Sequence, residues 1–247
     1  MSSLVSALRI LQCLTPETPR LKVSEIAERL DLPKSTVSRL LKTLSEGGVL
    51  DRDEETRQYF AGPRALQLGG LYMAQNDLMD FVDEAVLDLV NTYGFVGYIG
   101  VLDDLDVIII RHRQGSYPLK YVLPVGTRQF APAAALGIGL LAQLDEGEVE
   151  TLAETCSSDP DFDPEVMKAN IASHARSGFI EVSCKPVPGI SAIGSAVHVP
   201  GSNEPPIGYS LSFPEAAANA AMRKHMSRSV ASISETIRSR FTAIPAL

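Results

Sequence analysis

Hydroxyl and cationic side chains recur in the stretch LPKSTVSRLLKTLSEGGVLDRD, which spans residues 32–53. Within it, four apolar residues follow the i, i+3, i+4, i+7 spacing of a helix with one buried face: Val37, Leu40, Leu41 and Leu44. At about 100° per residue, the opposite face carries small hydroxyl side chains, arginine and lysine. Such a face suits base edges and phosphates in a DNA major groove, but an ordinary solvated helix face has a similar composition.

Arg39 is the best placed of these side chains for a base edge, because a guanidinium can donate two hydrogen bonds to guanine. The other candidates on the same helix are expected to reach phosphates or adjacent bases: Lys34, Ser35, Thr36, Ser38 and Lys42. Arg52 and Arg57 lie near the tip of the hairpin that follows. They would contact the flanking backbone or the minor groove, unless this acidic tip is only solvated.

The elements around this helix would have to position it. Apolar spacing predicts a first helix that ends near TPETP, a second over VSEIAERLDL and a third from Pro33 to Glu46, which Gly47-Gly48 terminates. VLDRD, EET and RQYFAG then predict a strand, a turn and a strand. Three helices and a hairpin make a winged helix-turn-helix in outline, and we assign it to residues 1–62.

The remainder of the chain predicts a linker helix and a second domain. The linker spans residues 63–76 and is expected to bend or end at Gly69-Gly70, because glycine weakens a helix by about 1 kcal/mol relative to alanine. From residue 77 to 247, β-rich runs alternate with amphipathic ones. The predicted strands are FVGYIGVLD, DVIIIRHRQ, LKYVLPVG, GFIEVS, GISAIGSAVHVP and PIGYSLSFP, and the predicted helices are AAALGIGLLAQL and residues 145–155, 164–177 and 215–241. The fold class is therefore α+β, with an antiparallel-leaning sheet in the second domain.

Charge divides unevenly between the two parts. Residues 1–64 hold ten Lys/Arg and nine Asp/Glu, a net of +1, whereas residues 65–247 hold 12 and 21, a net of −9. An anionic partner such as DNA would therefore have to contact the cationic side chains of residues 1–64. One short helix in a domain of such low charge makes few contacts, which favours a pair of copies on the DNA.

The sequence gives little support for metal binding, catalysis or membrane insertion. The three cysteines form no CxxC pair and have no metal-ligand spacing to the four histidines, so we expect no metal, no cofactor and a reducing cytoplasm. No nucleophile elbow of the GxSxG type is present, which argues against catalytic residues. No segment approaches the roughly 20 apolar residues that span a bilayer, so no membrane partner is expected. The RHR run at 111–113 is expected to be a pair of surface strand cations rather than an anion site.

The order and spacing of these motifs resemble a known family. LRILQCL, VSEIAERLDLPKSTVSRLLKTLSEGGVLDRD and GPRALQLG resemble the DNA-binding half of the IclR-type bacterial transcription regulators. VLPVGTRQFAPAAALGIGLLA, PGISAIGSAV and IGYSLS extend the resemblance through the second half. The resemblance implies a winged helix-turn-helix, a GAF-like effector domain, and a homodimer or dimer of dimers on a pseudo-palindromic double-stranded operator.

The resemblance also implies a small-molecule effector in the second domain. Six residues match positions that contact ligands in the family: Ala135, Leu136, Val182, Ala192, Ser210 and Ser212. Relatives that bind small hydrophilic acids have an acidic residue where this chain has Val182 and often a cysteine where it has Ala192. Both are apolar here, whereas the two serines can donate to a carboxylate. We therefore expect an apolar or aromatic effector with one polar or carboxylate end.

Two alternatives remain at the level of sequence. The second domain could act only in dimerisation or in binding a protein partner, which a ligand-dependent change in operator affinity would distinguish from a sensor. An enzyme is the other class, although no nucleophile lies beside a base in a recognisable motif.

Overall fold

The computed structural model describes residues 2–74, 77–118, 122–156, 162–201 and 204–242. The chain divides into two compact units, Met1–Asn76 and Asp77–Leu247. Within the described ranges, no helix has both the length and the apolar character needed to cross a bilayer.

The first unit is a helix-turn-helix followed by a two-stranded wing and a further helix. Its elements are α1 (Ser3–Gln12), α2 (Val23–Leu30), α3 (Lys34–Glu46), β1 (Leu50–Arg52), β2 (Tyr59–Ala61) and α4 (Pro63–Ala74). β1 and β2 pair antiparallel, with Asp51 opposite Phe60. This arrangement confirms the predicted winged helix-turn-helix.

The turn between α2 and α3 depends on Asp31, which adopts the left-handed conformation with a φ of 51°. Aspartate tolerates this region better than bulkier residues do, so it can close the helix at little cost. Beneath the turn lies one apolar core to which every helix of the motif contributes a fully buried side chain, including Ile10, Ile26, Val37 and Leu41. This shared core fixes the direction in which α3 presents its outer face.

The second unit is built on one sheet flanked by helices on both faces. Its elements are α5 (Asp77–Tyr93), β3 (Val96–Asp103), β4 (Asp106–Arg113), β5 (Arg128–Phe130), α6 (Ala135–Leu141), α7 (Glu146–Cys156), α8 (Pro164–Ser177), β6 (Ile180–Ser183), β7 (Ile190–Val197), β8 (Ile207–Pro214) and α9 (Ala220–Thr242). The strand order is β5-β4-β3-β8-β7-β6. Each neighbouring pair is antiparallel, which confirms the predicted character of the sheet.

α5 and α9 pack together against one face of the sheet, whereas α6 packs against the other face beside α8. The close approach of α6 depends on Gly194 in β7. A Cβ at this position would lie 2.6 Å from the carbonyl carbon of Ala135 and 2.7 Å from the nitrogen of Leu136. No side chain larger than hydrogen fits there, so the start of α6 is held directly on the sheet.

Three local predictions were wrong. LKYVLPVG is not a strand over its described residues, 122–126, because Pro124 lacks a donor and Gly126 turns the chain with a φ of 89°. Residues 119–121 of that prediction lie outside the described ranges. α4 does not end at its glycines but continues to Ala74. The closing helix begins at Ala220 rather than at 215, because the Asn219 side chain accepts a hydrogen bond from the Met222 N–H and starts the helix there.

Candidate functional site

The outer face of α3 carries the predicted DNA-contacting residues. Val37, Leu40 and Leu41 are buried, so the helix is anchored by the stripe that the periodicity indicates. The side of α3 turned away from this core displays five exposed residues and one half-buried one: Lys34, Ser35, Ser38, Arg39 and Lys42, with Thr36 half-buried. No acidic residue occupies its first turn, which leaves the positive end of the helix dipole free to face an anion.

The cations of α3 are largely available for a ligand. Arg39 forms no ion pair within the described part of the chain, and its own carbonyl accepts a hydrogen bond from the Thr43 hydroxyl at 3.1 Å. Lys42 lies 3.8 Å from Glu46, with about three quarters of its side chain exposed. Exposed pairs of this kind contribute about 0.3–0.5 kcal/mol, so a phosphate group could displace the glutamate.

The wing arginines are exposed but already have neighbours. The Arg52 guanidinium lies 5.5 Å from the Tyr59 ring centroid, and Arg57 pairs with Glu54 at 3.2 Å. Asp53 closes the wing turn by accepting hydrogen bonds from the backbone of Thr56 at 2.9 Å and of Glu55 at 3.0 Å. The Thr56 N–H is the main reason that the pKa of Asp53 lies below its usual value.

Five of the six predicted effector residues meet on the sheet face covered by α6. Val182, Ala192 and Ser212 are direct cross-strand neighbours on β6, β7 and β8. Ala135 belongs to the apolar cluster that includes Val182 and Ala192. Ser210, which is 1% exposed, lies two residues before Ser212 and therefore points to the same face.

Leu136 differs from the other five. It is buried in the neighbouring apolar cluster. A Cβ placed on Gly100 would lie only 2.9 Å from the Cδ1 atom of Leu136. The structure therefore packs Leu136 against β3, and its predicted contact with an effector stays a prediction.

Tyr98 and His112 are two polar residues of the same region that sequence reasoning missed. Tyr98 is the cross-strand neighbour of both Ser210 and His112, so all three side chains share one sheet face. The Tyr98 hydroxyl accepts a hydrogen bond from the Leu123 N–H at 3.0 Å. The Nδ1 atom of His112 is buried without a partner in the described ranges. A tyrosine inside the otherwise apolar FVGYIGVLD was the available signal.

Arg111 and Arg113 lie on the opposite face and are not merely surface cations. Both bind Asp83 of α5: Arg111 Nη1 lies 2.8 Å from Oδ2, and Arg113 Nε lies 2.7 Å from Oδ1. Burial raises the pKa of Asp83, but the hydrogen bonds and charges of the two arginines outweigh burial and hold the pKa below its usual value. The expectation of simple strand cations is therefore corrected to a partly buried ion-pair cluster.

Comparison with known proteins identifies the family. The family model "IclR helix-turn-helix domain" matches residues 3–54, and "Bacterial transcriptional regulator IclR C-terminal" matches residues 70–239. HTH-type transcriptional regulator BhcR of Paracoccus denitrificans is 31% identical over 122 residues, which are 49% of this chain and 44% of that protein. The chain spans roughly half the length of the curated relatives it matches.

Solved structures share the fold. An IclR family transcriptional regulator from Brucella abortus has a TM-score of 0.81 at 20% identity, covering 99% of this chain and 93% of that one. An IclR homolog from Microbacterium hydrocarbonoxydans, solved in complex with 4-hydroxybenzoate, has a TM-score of 0.74 at 18% identity, covering 97% and 100%. The relatives are transcriptional regulators rather than enzymes. Because the second family match alone covers more than half of its residues, the chain belongs to the IclR family of bacterial transcriptional regulators.

Proposed function

We propose that this regulator binds a specific double-stranded operator through α3, in the cytoplasm where bacterial DNA is located. The observation that carries the proposal is the exposed polar face of a helix whose opposite face is fully buried. Arg39 reads a base edge, and the surrounding side chains of α3 contact phosphates or adjacent bases. Arg52 and Arg57 of the wing contact the flanking backbone or minor groove, where DNA phosphates compete with Glu54 for Arg57.

A homodimer, or a dimer of dimers, binds the two halves of a pseudo-palindromic operator. Support comes from the apolar surface of the first unit. α4 has no buried residue, and Leu68 and Leu71 are 62% and 53% exposed on the same side of it. On α1, Leu4 and Leu8 are 69% and 53% exposed one turn apart. Leucines at helical spacing on two helices of one unit fit a second copy of the same unit.

Replacing Arg39 by alanine tests the position of α3. Loss of a bidentate base contact is expected to weaken specific operator binding by about 1–3 kcal/mol and to relax the preference for one base pair. Fluorescence anisotropy at fixed salt measures both quantities. The DNA is the segment upstream of the regulator's own gene that the protein protects in a footprinting experiment. Lys185→Ala removes one charge from the second unit and serves as the control. Unchanged affinity of the Arg39 variant would show that α3 is not the reading helix.

The second unit binds a small effector that is apolar or aromatic and carries one polar or carboxylate end. Val182 and Ala192 form an apolar surface with Ala135, and Ser210 and Ser212 supply hydroxyl groups beside it. The 4-hydroxybenzoate bound by the Microbacterium homolog has this chemistry, an aromatic ring with a carboxylate and a hydroxyl. Effector binding changes operator affinity by acting on the spacing or assembly of the DNA-binding units.

Val182→Glu tests this site. An acidic side chain beside Ala192 is expected to weaken 4-hydroxybenzoate binding about tenfold or more, because the two carboxylates repel each other in an apolar surrounding. Calorimetry against aromatic and short hydrophilic acids measures the change. Val166→Glu, at an exposed position of α8, is the matched control. Binding of only the smallest hydrophilic acids would exclude this effector class, and an operator affinity that no acid changes would favour a domain that only dimerises or binds a protein.

A further inference from the structure

A cavity of about 600 Å³ lies where α6, α8 and α9 meet the end of β7. Of the described residues that line it, none belongs to the six positions proposed for the effector. Its volume lies within the range of about 300–1,000 Å³ that is usual for small-molecule sites. Its charged and ring-bearing lining residues are His174, Arg176, Arg228, Glu235 and Arg238.

Buried polar groups form one wall of this cavity. His174 is 5% exposed, and its Nε2 atom lies 3.0 Å from the Ser195 hydroxyl oxygen. Tyr209 does not line the cavity but is the cross-strand neighbour of Ser195, and its hydroxyl donates to the Val230 carbonyl at 3.1 Å. Burial raises the pKa of Tyr209 to about 12, so the phenol stays neutral. Polar groups that are desolvated in this way weaken a fold unless their hydrogen bonds are satisfied.

His174 retains an unused ring nitrogen. Its Nδ1 atom is buried and has no hydrogen-bond partner in the described part of the chain. Burial, and after it the charge of Arg238, lowers the pKa of His174, so the ring is neutral at pH 7. When the Ser195 hydroxyl donates to Nε2, the ring proton sits on Nδ1, and the ring lines the cavity as a neutral group.

The lining is cationic. Three arginines and one glutamate leave a formal net charge of +2 around the cavity. α8 ends at the cavity. The positive charge of Arg176 in its last turn offsets the partial negative charge of the carbonyl groups at the helix end. Arg228 lies in the middle of α9, where no helix end requires a cation, and it forms no ion pair within the described ranges. Its charge is therefore available for an anion.

We propose that this cavity is a second small-molecule site, which takes an organic anion with a carboxylate or phosphate group. Arg228 forms a charge-assisted hydrogen bond with the anion, and the neutral His174 ring forms part of the wall beside it. Arg238 adds a positive charge from the side while its Nε–H holds the His198 carbonyl at 3.0 Å. Carboxylates and phosphates share the acceptor geometry that a guanidinium recognises.

Calorimetry on the full-length protein tests the proposal with succinate, inorganic phosphate and uncharged succinamide. We expect one anion site per chain and no succinamide binding, and the tighter of the two anions identifies the group that the site prefers. Arg228→Gln is expected to raise the dissociation constant about tenfold or more. Lys224→Gln, an exposed cation of the same helix outside the cavity, is expected to change it less than about twofold.

Nuclear magnetic resonance provides an independent readout. The ring C–H signal that disappears in His174→Gln should shift during the anion titration of the unmodified protein. The proposal is overturned if neither anion binds at millimolar concentration, if Arg228→Gln binds as the unmodified protein does, or if Lys224→Gln is weakened equally. It is also overturned if Val182→Glu abolishes anion binding, because the anion would then occupy the proposed effector site.

Discussion

Asp83 connects α5 to the sheet through ion pairs with two arginines of β4. It is 8% exposed and receives hydrogen bonds from Arg111 and Arg113, whose side chains remain 24% and 43% exposed. The arginines are thus more exposed to water than Asp83, whose side chain is 11% exposed. A buried anion with two cations is costly to form but more costly to disrupt, since removing the anion leaves partly buried positive charge without its main partner.

Asp83→Asn is expected to lower the free energy of unfolding at pH 7 by about 2–3 kcal/mol, less than for a fully buried pair because the arginines are hydrated. The pKa of Asp83 is lower in the folded protein, so its contribution is complete above the unfolded value of about 3.9 and is lost as pH falls through the folded value. The difference between variant and unmodified protein should therefore shrink only in acid. Urea unfolding at pH 7 and pH 3 measures it.

Asp80→Asn is the matched control, because Asp80 contacts the same Arg111 at 3.3 Å but leaves 78% of its side chain exposed. Its effect should stay below about 1 kcal/mol. Equal losses in the two variants would mean that burial of the carboxylate does not govern this cluster.

Sequence patterns could not predict the elements that form only through contacts between residues distant in the sequence. α3 was predictable because Val37, Leu40 and Leu41 repeat at the helical period and glycines follow the helix. β5 has three residues and exists because it pairs with β4, from Asp106 opposite Phe130 to Ile108 opposite Arg128. No local periodicity can reveal so short a strand, and the proline-containing run before it has a stronger β composition.

The candidate sites divide in the same way. The polar face of α3 follows from one helical period, so its residues could be chosen before the fold was known. Tyr98 and His112 join the serines of β8 only through the register of β3 with β4 and β8. The ion pairs of Asp83 with the two arginines likewise join α5 to β4 through tertiary packing. Contacts that depend on register or tertiary packing leave no spacing in the sequence to recognise.

At the scale of the whole molecule, the proposed homodimer would supply contacts to DNA that one chain lacks. The net charge of +1 over residues 1–64 gives little non-specific attraction to DNA, and one α3 covers one half-site. Two copies double the contacts and set a fixed distance between the reading helices. The exposed leucines of α1 and α4 belong to the unit that the proposed homodimer pairs.

The double variant Leu68→Glu, Leu71→Glu is expected to dissociate the proposed dimer. Each leucine contributes about 1.5–3 kcal/mol when it leaves water, and four are lost from a symmetric pair. Sedimentation should show monomers at concentrations where the unmodified protein is dimeric, and operator affinity should fall about tenfold or more.

Leu66→Glu places a single new charge on the opposite side of the same helix, at a residue that is 80% exposed, and should leave both measurements unchanged. Retention of α-helical circular dichroism by the double variant would show that α4 still forms, which is expected because neither leucine is buried within the chain. If the double variant remains dimeric, the dimer interface must lie in the second unit. The distance between the two α3 helices would then be set by that unit instead of by α1 and α4.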